Sequence, residues 1–200
     1  MLELHYAPKT ISVAVAIALE ETGQTYTLRK VDFASGAQQG AAYLKLNPKG
    51  RVPTLIADGA TLTETGAILE FIAPKLVPQD PWAAAKMREL SYYLAGTMHV
   101  AHAHKLRGAR WADDAAAQEA MQAKVPETMT ACCAYLEATL ALAPFAMGAE
   151  MTAVDPYLFM VAGWAGGDGV DMGQFPKLRG FLEMMTARDS VKIVTAKGLL

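Results

Sequence analysis

The chain has 200 residues, of which 52% are hydrophobic and 19% charged, and its formal net charge is −2. A composition this apolar indicates a folded chain with a self-sufficient core. The even charge balance excludes a basic face for nucleic acid or anionic lipid. The longest apolar runs, 12–19 and 157–165, are about half the ~20 residues of a membrane span. Because the start also lacks the basic segment of a signal peptide, we expect a cytoplasmic protein.

The only two cysteines, Cys132 and Cys133, are adjacent in a helical stretch. This spacing gives neither a disulfide framework nor a C-x-x-C redox motif. We therefore expect two small, buried apolar side chains.

The first 76 residues alternate between strand and helix patterns. The predicted elements are strands at 2–6 and 26–31 around a helix at 11–19, then strands at 52–57 and 61–63 and a helix at 65–74. Gly23 ends the first helix, and the strands beside it form a right-handed parallel pair. Asp58-Gly59 suits the tight turn of a hairpin. The predicted order is βαβ, a long connection, then ββα.

The second half shows only helical periods. Pro74, Pro78 and Pro81 fall within eight residues, which indicates a linker at 77–83 between a domain at 1–76 and one at 84–200. The predicted helices span 83–110, 114–142, 152–164, 175–188 and 190–197. Thr152 is placed to cap the third of these helices, with Asp155 reaching back to it.

Three motifs, together with this element order, carry a resemblance to a known family. They are Asn47-Pro-Lys-Gly-Arg-Val-Pro-Thr-Leu55, Leu62-Thr-Glu-Thr-Gly-Ala-Ile68 and Thr152-Ala-Val-Asp155. The sequence resembles the cytosolic glutathione transferases, and its opening Leu4-His-Tyr-Ala-Pro8 resembles the bacterial beta class. The resemblance implies an α/β thioredoxin-like N-terminal domain (βαβ-ββα), an all-α C-terminal helical bundle domain, and glutathione as co-substrate without a metal.

The resemblance also implies where glutathione binds. In the family the Val52-Pro53 bond is cis, and Val52 pairs its backbone with the cysteinyl part of glutathione as an added strand; the alternative is an ordinary trans proline. Glu64 and Thr65 would hold the γ-glutamyl end, with Thr65 offering a hydroxyl and free helix amides; the alternative is a plain helix cap.

Two basic residues flank the same loop. Lys49 and Arg51 are candidates to meet the glycyl carboxylate of glutathione. Solvated loop charges are the alternative for both.

The thiolate of glutathione needs a stabilising group, because a thiol of pKa about 8.5 is mostly protonated at neutral pH. One hydrogen bond and a helix N-terminus supply enough stabilisation. The hydroxyls between the first strand and first helix are Ser12, which we place slightly first, then Thr10 and Tyr6. Beta-class members carry a cysteine where this chain has Ile11. For Ser12 and Thr10 the alternative is a helix cap or first-turn hydroxyl without a catalytic role.

The long predicted helix carries the remaining candidates. His99 lies where the beta class has a histidine that points into the cleft; the alternative is a partly buried helix histidine. His99 and His102 have a metal-compatible spacing, but no third ligand accompanies them, so we predict no metal. Arg107, Arg110 and Trp111 are candidates to line an electrophile pocket, with a solvated helix end as the alternative.

Two functional hypotheses follow. The first is a glutathione transferase that acts in detoxification and conjugates glutathione to a small hydrophobic electrophile. The second is a non-catalytic glutathione-binding or protein-interaction member of the same fold, which the missing cysteine favours. The resemblance implies a homodimer.

Overall fold

The computed structural model describes residues 1–200 and contains four strands and nine α-helices. The strands are β1 (Leu2–Tyr6), β2 (Tyr26–Lys30), β3 (Thr54–Ala57) and β4 (Ala60–Thr63). The helices are α1 (Ser12–Glu21), α2 (Ala41–Leu46), α3 (Thr65–Ile72), α4 (Pro81–Tyr93), α5 (His99–Arg107), α6 (Ala115–Thr139), α7 (Asp155–Gly163), α8 (Pro176–Thr186) and α9 (Asp189–Ala196). No helix is both long enough and apolar enough to span a bilayer.

The four strands form one mixed sheet in the order β2-β1-β3-β4. β1 runs parallel to β2 and antiparallel to β3, and β4 returns antiparallel beside β3. Asp58 and Gly59, both at positive φ, make the hairpin turn. This topology confirms the predicted βαβ-ββα order and the thioredoxin-like first half.

Helix α1 is the centre of the molecule. Every residue from Val13 to Leu19 is fully buried, because α1 packs against β1 and α3 on one side and against α7 and α9 on the other. A helix enclosed in this way is apolar all round, which explains its unbroken run of small and branched side chains. The buried residues form one cluster of 42 that spans both halves of the chain.

An ion pair also ties the end of α1 to the last helix. Arg188 places Nε and Nη2 2.6 and 2.7 Å from the two carboxylate oxygens of Glu21, and Ser190 donates its hydroxyl to the same carboxylate. This bidentate pair fixes the C-terminal helix against the first half of the chain.

The connection between β2 and β3 contains a helix that the sequence analysis did not predict. α2 has six residues and buries only Tyr43. A helix this short lacks the two turns over which a 3.6-residue period becomes visible.

The predicted long helix of 83–110 is confirmed as one unbroken helical segment over 81–110, although it is not α-helical throughout. α4 begins at Pro81, where the carboxylate of Asp80 accepts from the amide of Ala83 at 2.8 Å, so it starts inside the segment predicted as a linker. A π-helical turn at Leu94–Met98 joins α4 to α5. The division of the chain at 77–83 stays a prediction.

The start of α7 differs from the predicted capping box. Asp155 accepts from the Thr152 amide, as expected, but the Thr152 hydroxyl donates to the same carboxylate rather than capping the helix. Asp155 also accepts from the amide of Ala146 at 2.7 Å. The buried carboxylate therefore closes the preceding loop, and α7 begins at Asp155 rather than at Thr152.

Candidate active site

A cleft of about 250 Å³ lies between the loops of the first half and α5 of the second. It brings together most of the residues singled out from the sequence, namely Thr10, Lys49, Arg51, Val52, Pro53, Glu64, Thr65, His99, Arg107, Arg110 and Trp111. Ser12 and Tyr6 are not among its lining residues. The cleft is therefore the candidate active site, and two of the predicted hydroxyls lie outside it.

A buried asparagine fixes the loop before β3 through hydrogen bonds. Asn47, which is 1% exposed, donates to the carbonyl of Arg51 and to the hydroxyl of Thr54, and its own carbonyl accepts from the Lys49 amide. Tyr43 of α2 donates to the same Arg51 carbonyl at 2.7 Å. These bonds fix the loop backbone and leave the side chains of Lys49 and Arg51 at the cleft.

Val52 presents an unpaired backbone to the cleft. Its bond to Pro53 is cis, as the resemblance implies. Neither the N–H nor the C=O of Val52 takes part in a backbone hydrogen bond of the chain. Backbone polar groups require partners, so this position is suited to an extended peptide that adds a strand beside it.

The turn between β4 and α3 places free amides at the cleft. Thr65 is the first residue of α3, and Glu64, at the cap position, makes no capping hydrogen bond. Glu64 has a φ of 73°, a conformation that residues other than glycine rarely adopt and that occurs at functional sites. Its carboxylate accepts from Lys49 Nζ, which also donates to Thr63. The first-turn amides of α3 therefore face an anion site.

The hydroxyls near α1 form a short chain of hydrogen bonds. Ser12 is fully buried, and its Oγ accepts from the Ala7 amide at 3.1 Å. Thr10 Oγ1 lies 2.7 Å from Ser12 Oγ and 2.8 Å from the Ala7 carbonyl oxygen. Only Thr10 lines the cleft. Burial therefore keeps Ser12 behind Thr10, contrary to the expected order, and the hydroxyl that serves the thiolate stays a prediction.

Tyr6 also lies away from the cleft. It is the last residue of β1, and its ring packs against the hydrophobic core. Alternation along a strand directs neighbouring side chains to opposite faces of the sheet, and the Tyr6 side chain is on the core side. It is therefore not positioned as a thiolate donor.

His99 is a neutral group in this cleft. Burial, with smaller contributions from His102 and three arginines, lowers the pKa of His99 to about 4. The edge of its ring contacts Trp164 at 5.1 Å between centroids. His99 therefore stays uncharged near neutral pH, which excludes it as a positive charge for a thiolate and leaves it as a hydrogen-bonding group.

His102 is oriented by a buried carboxylate. Its Nδ1 lies 2.6 Å from Oδ2 of Asp168, whose side chain is 1% exposed. The His102 ring stacks on Trp164 with centroids 4.3 Å apart. No three His, Cys, Asp or Glu side chains in the structure lie together as metal ligands.

Two arginines and a tryptophan at the end of α5 lie over the cleft. The guanidinium of Arg107 is 5.8 Å from the centroid of Phe33. Burial and the nearby charges of Arg107 and Arg51 lower the pKa of Arg110. Trp111 is held by an edge contact to His104 at 4.5 Å. All three residues line the cleft, and their side chains are also exposed to solvent.

Some residues of the cleft were not identified from the sequence. They are Gln38, Phe33 and Trp164, together with the supporting Tyr43. Gln38 carries a buried side-chain carbonyl oxygen that has no hydrogen-bond partner. Nothing in the sequence around Gln38 marks it, whereas Phe33 stands alone as an aromatic residue in a polar loop.

Both cysteines lie outside this site. Cys132 and Cys133 are free and buried in α6, as predicted. Burial raises the pKa of the Cys133 thiol to about 12, so it stays protonated. Neither cysteine lines the cleft.

Comparisons with known proteins match both halves of the chain. The family model of the glutathione S-transferase N-terminal domain matches residues 3–74. Glutathione S-transferase GST-4.5 of Xanthomonas campestris pv. campestris is 31% identical over 99% of this chain and 100% of its own length.

Two solved structures extend this similarity to the fold. A glutathione transferase homologue from Sulfitobacter with bound glutathione is 52% identical, with a TM-score of 0.97 over 100% of this chain and 99% of its own. The bacterial beta class glutathione S-transferase of Sphingomonas chungbukensis is 30% identical, with a TM-score of 0.84 over 99% of this chain and 100% of its own. The similarity therefore includes the helical half and not only the motifs of the first half.

Proposed function

This chain belongs to the glutathione S-transferase family, and we propose that it binds glutathione along Val52 and holds the thiolate at Thr10. It is an enzyme that transfers glutathione to an electrophile. The second half of the chain contributes the other wall of the cleft, where the electrophile binds.

The observation that carries the assignment is the free backbone of Val52 within one cleft that also contains Thr10 and Thr65. Glutathione is a short peptide with a carboxylate at each end. Its cysteinyl N–H and C=O pair with Val52 as a strand would. Its γ-glutamyl carboxylate takes the first-turn amides of α3 and the Thr65 hydroxyl. Its glycyl carboxylate takes Arg51, with Lys49 beside it.

Thr10 supplies the hydrogen bond that favours the thiolate. Ser12 Oγ accepts from the Ala7 amide and shares a hydrogen bond with Thr10 Oγ1, and both hydroxyls lie within hydrogen-bond distance of the Ala7 carbonyl oxygen. When Ser12 donates to Thr10 Oγ1, the Thr10 proton can turn from that carbonyl to the sulfur. Thr10 therefore touches the reacting atom, and Ser12 is a positioning residue. The N-terminus of α1 adds electrostatic stabilisation. Catalysis then consists of positioning a bound nucleophile against the electrophile.

The assignment also includes a homodimer, a cytoplasmic location and a role in detoxification. The dimer is supported by large exposed aromatic side chains on α3 and α4, namely Phe71, Trp82 and Tyr92, which are 55%, 75% and 72% exposed. Light scattering during size-exclusion chromatography tests it. A mass of one chain would contradict the dimer.

Glutathione binding and turnover together test the function. We expect the protein to bind glutathione by calorimetry and to conjugate it to 1-chloro-2,4-dinitrobenzene. Thr65→Val should raise KM for glutathione about tenfold, since it removes a hydrogen bond to a charged group. The control Thr139→Val removes a hydroxyl that donates to the Tyr135 carbonyl on α6, away from the cleft.

Three outcomes would contradict this assignment. Absence of glutathione binding at millimolar concentration overturns the whole proposal. Binding without turnover identifies a glutathione-binding protein instead. An equal effect of Thr65→Val and Thr139→Val overturns the placement of the γ-glutamyl carboxylate.

A further inference from the structure

The charge of the cleft is opposite to that of the chain. The protein has a formal net charge of −2, yet five cationic side chains line the cleft and only one acidic side chain does so. The cations are Lys9, Lys49, Arg51, Arg107 and Arg110. The single acid, Glu64, already pairs with Lys49. The cleft therefore has a positive electrostatic potential although the protein as a whole is acidic, and this potential concentrates anions in the cleft.

Glutathione accounts for only part of this charge. This step rests on the proposed function, in which both carboxylates of glutathione bind to the first half, at Arg51, Lys49 and the start of α3. Arg107 and Arg110 come from the second half, at the end of α5. Neither forms an ion pair with any carboxylate of the chain within 4.0 Å, whereas Arg29, Arg88, Arg179 and Arg188 each do.

The charges of the two arginines also repel each other. Burial, and after it the charges of Arg107 and Arg51, lower the pKa of Arg110. Both side chains are exposed and line the cleft, so a ligand that enters the cleft can reach them. An anionic ligand between them would relieve the repulsion and form charge-assisted hydrogen bonds.

Aromatic side chains surround the arginines. Phe33 lies beneath the Arg107 guanidinium, and Trp111 and Trp164 complete this wall of the cleft. Flat apolar surfaces of this kind accept an unsaturated or aromatic ring. The combination of a flat apolar wall and two guanidinium groups differs from a purely hydrophobic pocket.

We propose that the electrophile of this enzyme carries a carboxylate, which Arg107 and Arg110 bind while its apolar ring lies against Phe33 and Trp111. This narrows the expected small hydrophobic electrophile to one that also carries a carboxylate. The carboxylate takes no part in the chemistry. With an aryl chloride, the glutathione sulfur forms the C–S bond, the C–Cl bond breaks, and chloride leaves with the electron pair. The thiol proton has already gone to solvent.

A matched pair of electrophiles tests this inference. 4-Chloro-3,5-dinitrobenzoate and its methyl ester differ in the charge of one substituent, and each enzymatic rate is divided by the uncatalysed rate with glutathione. We expect kcat/KM to favour the carboxylate at least tenfold in the unaltered enzyme. Arg107→Gln and Arg110→Gln should each lower kcat/KM for the carboxylate about tenfold, the loss expected for one charge-assisted hydrogen bond. The ester should change less than twofold.

The control is Arg179→Gln, since Arg179 is an exposed arginine of α8 that pairs with Glu183 and does not line the cleft. It should leave both substrates unchanged. KM for glutathione should stay constant in all three variants. A rise in that KM would mean that the arginines bind glutathione, and equal losses with acid and ester would mean that they support the structure. Either result overturns the inference.

A binding measurement separates this inference from the proposed function. Unreactive 3,5-dinitrobenzoate is titrated into the protein, with neutral 1,3-dinitrobenzene as the comparison. If neither electrophile is turned over but the benzoate binds and Arg107→Gln weakens it about tenfold, the transferase assignment fails and the anion site stands. If the benzoate binds no better than the neutral compound, the inference is overturned whatever the turnover.

Discussion

Removal of the Thr10 hydroxyl is the most direct test of how this site generates a thiolate. Thr10→Val keeps the shape of the side chain and deletes its only polar atom. Since Thr10 lines the cleft and lies 2.7 Å from Ser12 Oγ, the substitution removes the last donor of the hydrogen-bond chain. Thr10→Ser keeps the hydroxyl and serves as the matched control.

The expected rise in the thiol pKa of bound glutathione follows from the strength of a hydrogen bond to a charged group, which is about 1.5–3 kcal/mol. At about 1.36 kcal/mol per pKa unit, the thiol pKa of bound glutathione should rise by about one to two units in Thr10→Val. The thiolate fraction near pH 6.5 then falls about tenfold or more, and kcat/KM falls with it. At pH 9 and above both enzymes hold mostly thiolate, so the difference should shrink.

Two measurements check this prediction. Ultraviolet absorbance of the thiolate, followed during a pH titration of the enzyme with glutathione, gives the thiol pKa directly. The pH dependence of kcat/KM should shift to higher pH by the same amount, with KM for glutathione unchanged. If Thr10→Val leaves the thiol pKa where it is, Thr10 is not the donor and the reasoning is refuted. Thr10→Ser should restore the unaltered profile.

Three further predictions concern stability and the binding loop. The pKa of His99 falls from about 6.5 in the unfolded chain to about 4 in the folded protein, so the unfolded state binds more protons between these two pH values. The free energy of unfolding should therefore fall as the pH drops below 6.5, by about 2 kcal/mol at pH 5. Urea unfolding measures this loss, and His99→Gln should abolish it. Asp155→Asn should lower the free energy of unfolding by about 2–4 kcal/mol in the same assay, because the buried carboxylate accepts from the amides of Ala146 and Thr152. Asp189→Asn should lower it little, since Asp189 is exposed. Equal effects would contradict the role of the buried carboxylate. Gly50→Ala should raise KM for glutathione and leave kcat unchanged. Gly50 has a φ of 60°, and an added Cβ would lie 2.6 Å from Gln39 Nε2, so the loop would have to shift. An unchanged KM would show that this loop does not position glutathione.

Elements whose apolar pattern extends over two turns or a full hairpin were predictable from the sequence. The continuous apolar run of α1 indicated a helix, and Asp58-Gly59 indicated the turn of the hairpin. The short α2 was not predictable, because its single buried side chain carries no period. The predicted start of α7, at Thr152, was three residues too early. A Thr followed three residues later by an Asp fits a capping box in the sequence, and the sequence does not show which of the two side chains accepts the hydrogen bonds.

The sequence was enough to predict the parts of the site that are formed by backbone groups. It was not enough to predict which side chains point into the cleft. The Val52-Pro53 pair marks an outward-facing backbone whatever surrounds it. By contrast, Thr10 and Ser12 are both small hydroxyls at the entry to α1, and their order depends on which one the Ala7 amide holds inward. That choice is made by the tertiary fold. Gln38 reaches the cleft through a loop whose sequence shows no pattern at all.

In the proposed function, the two halves of the chain recognise different substrates. There, the first half binds glutathione, the constant substrate, through the free backbone of Val52 and the free amides at Thr65. The second half contributes charge and aromatic surface at the end of α5. A substitution at the end of α5 should therefore change which electrophile is accepted while leaving glutathione affinity intact, and the Arg107 variant measures this separation directly.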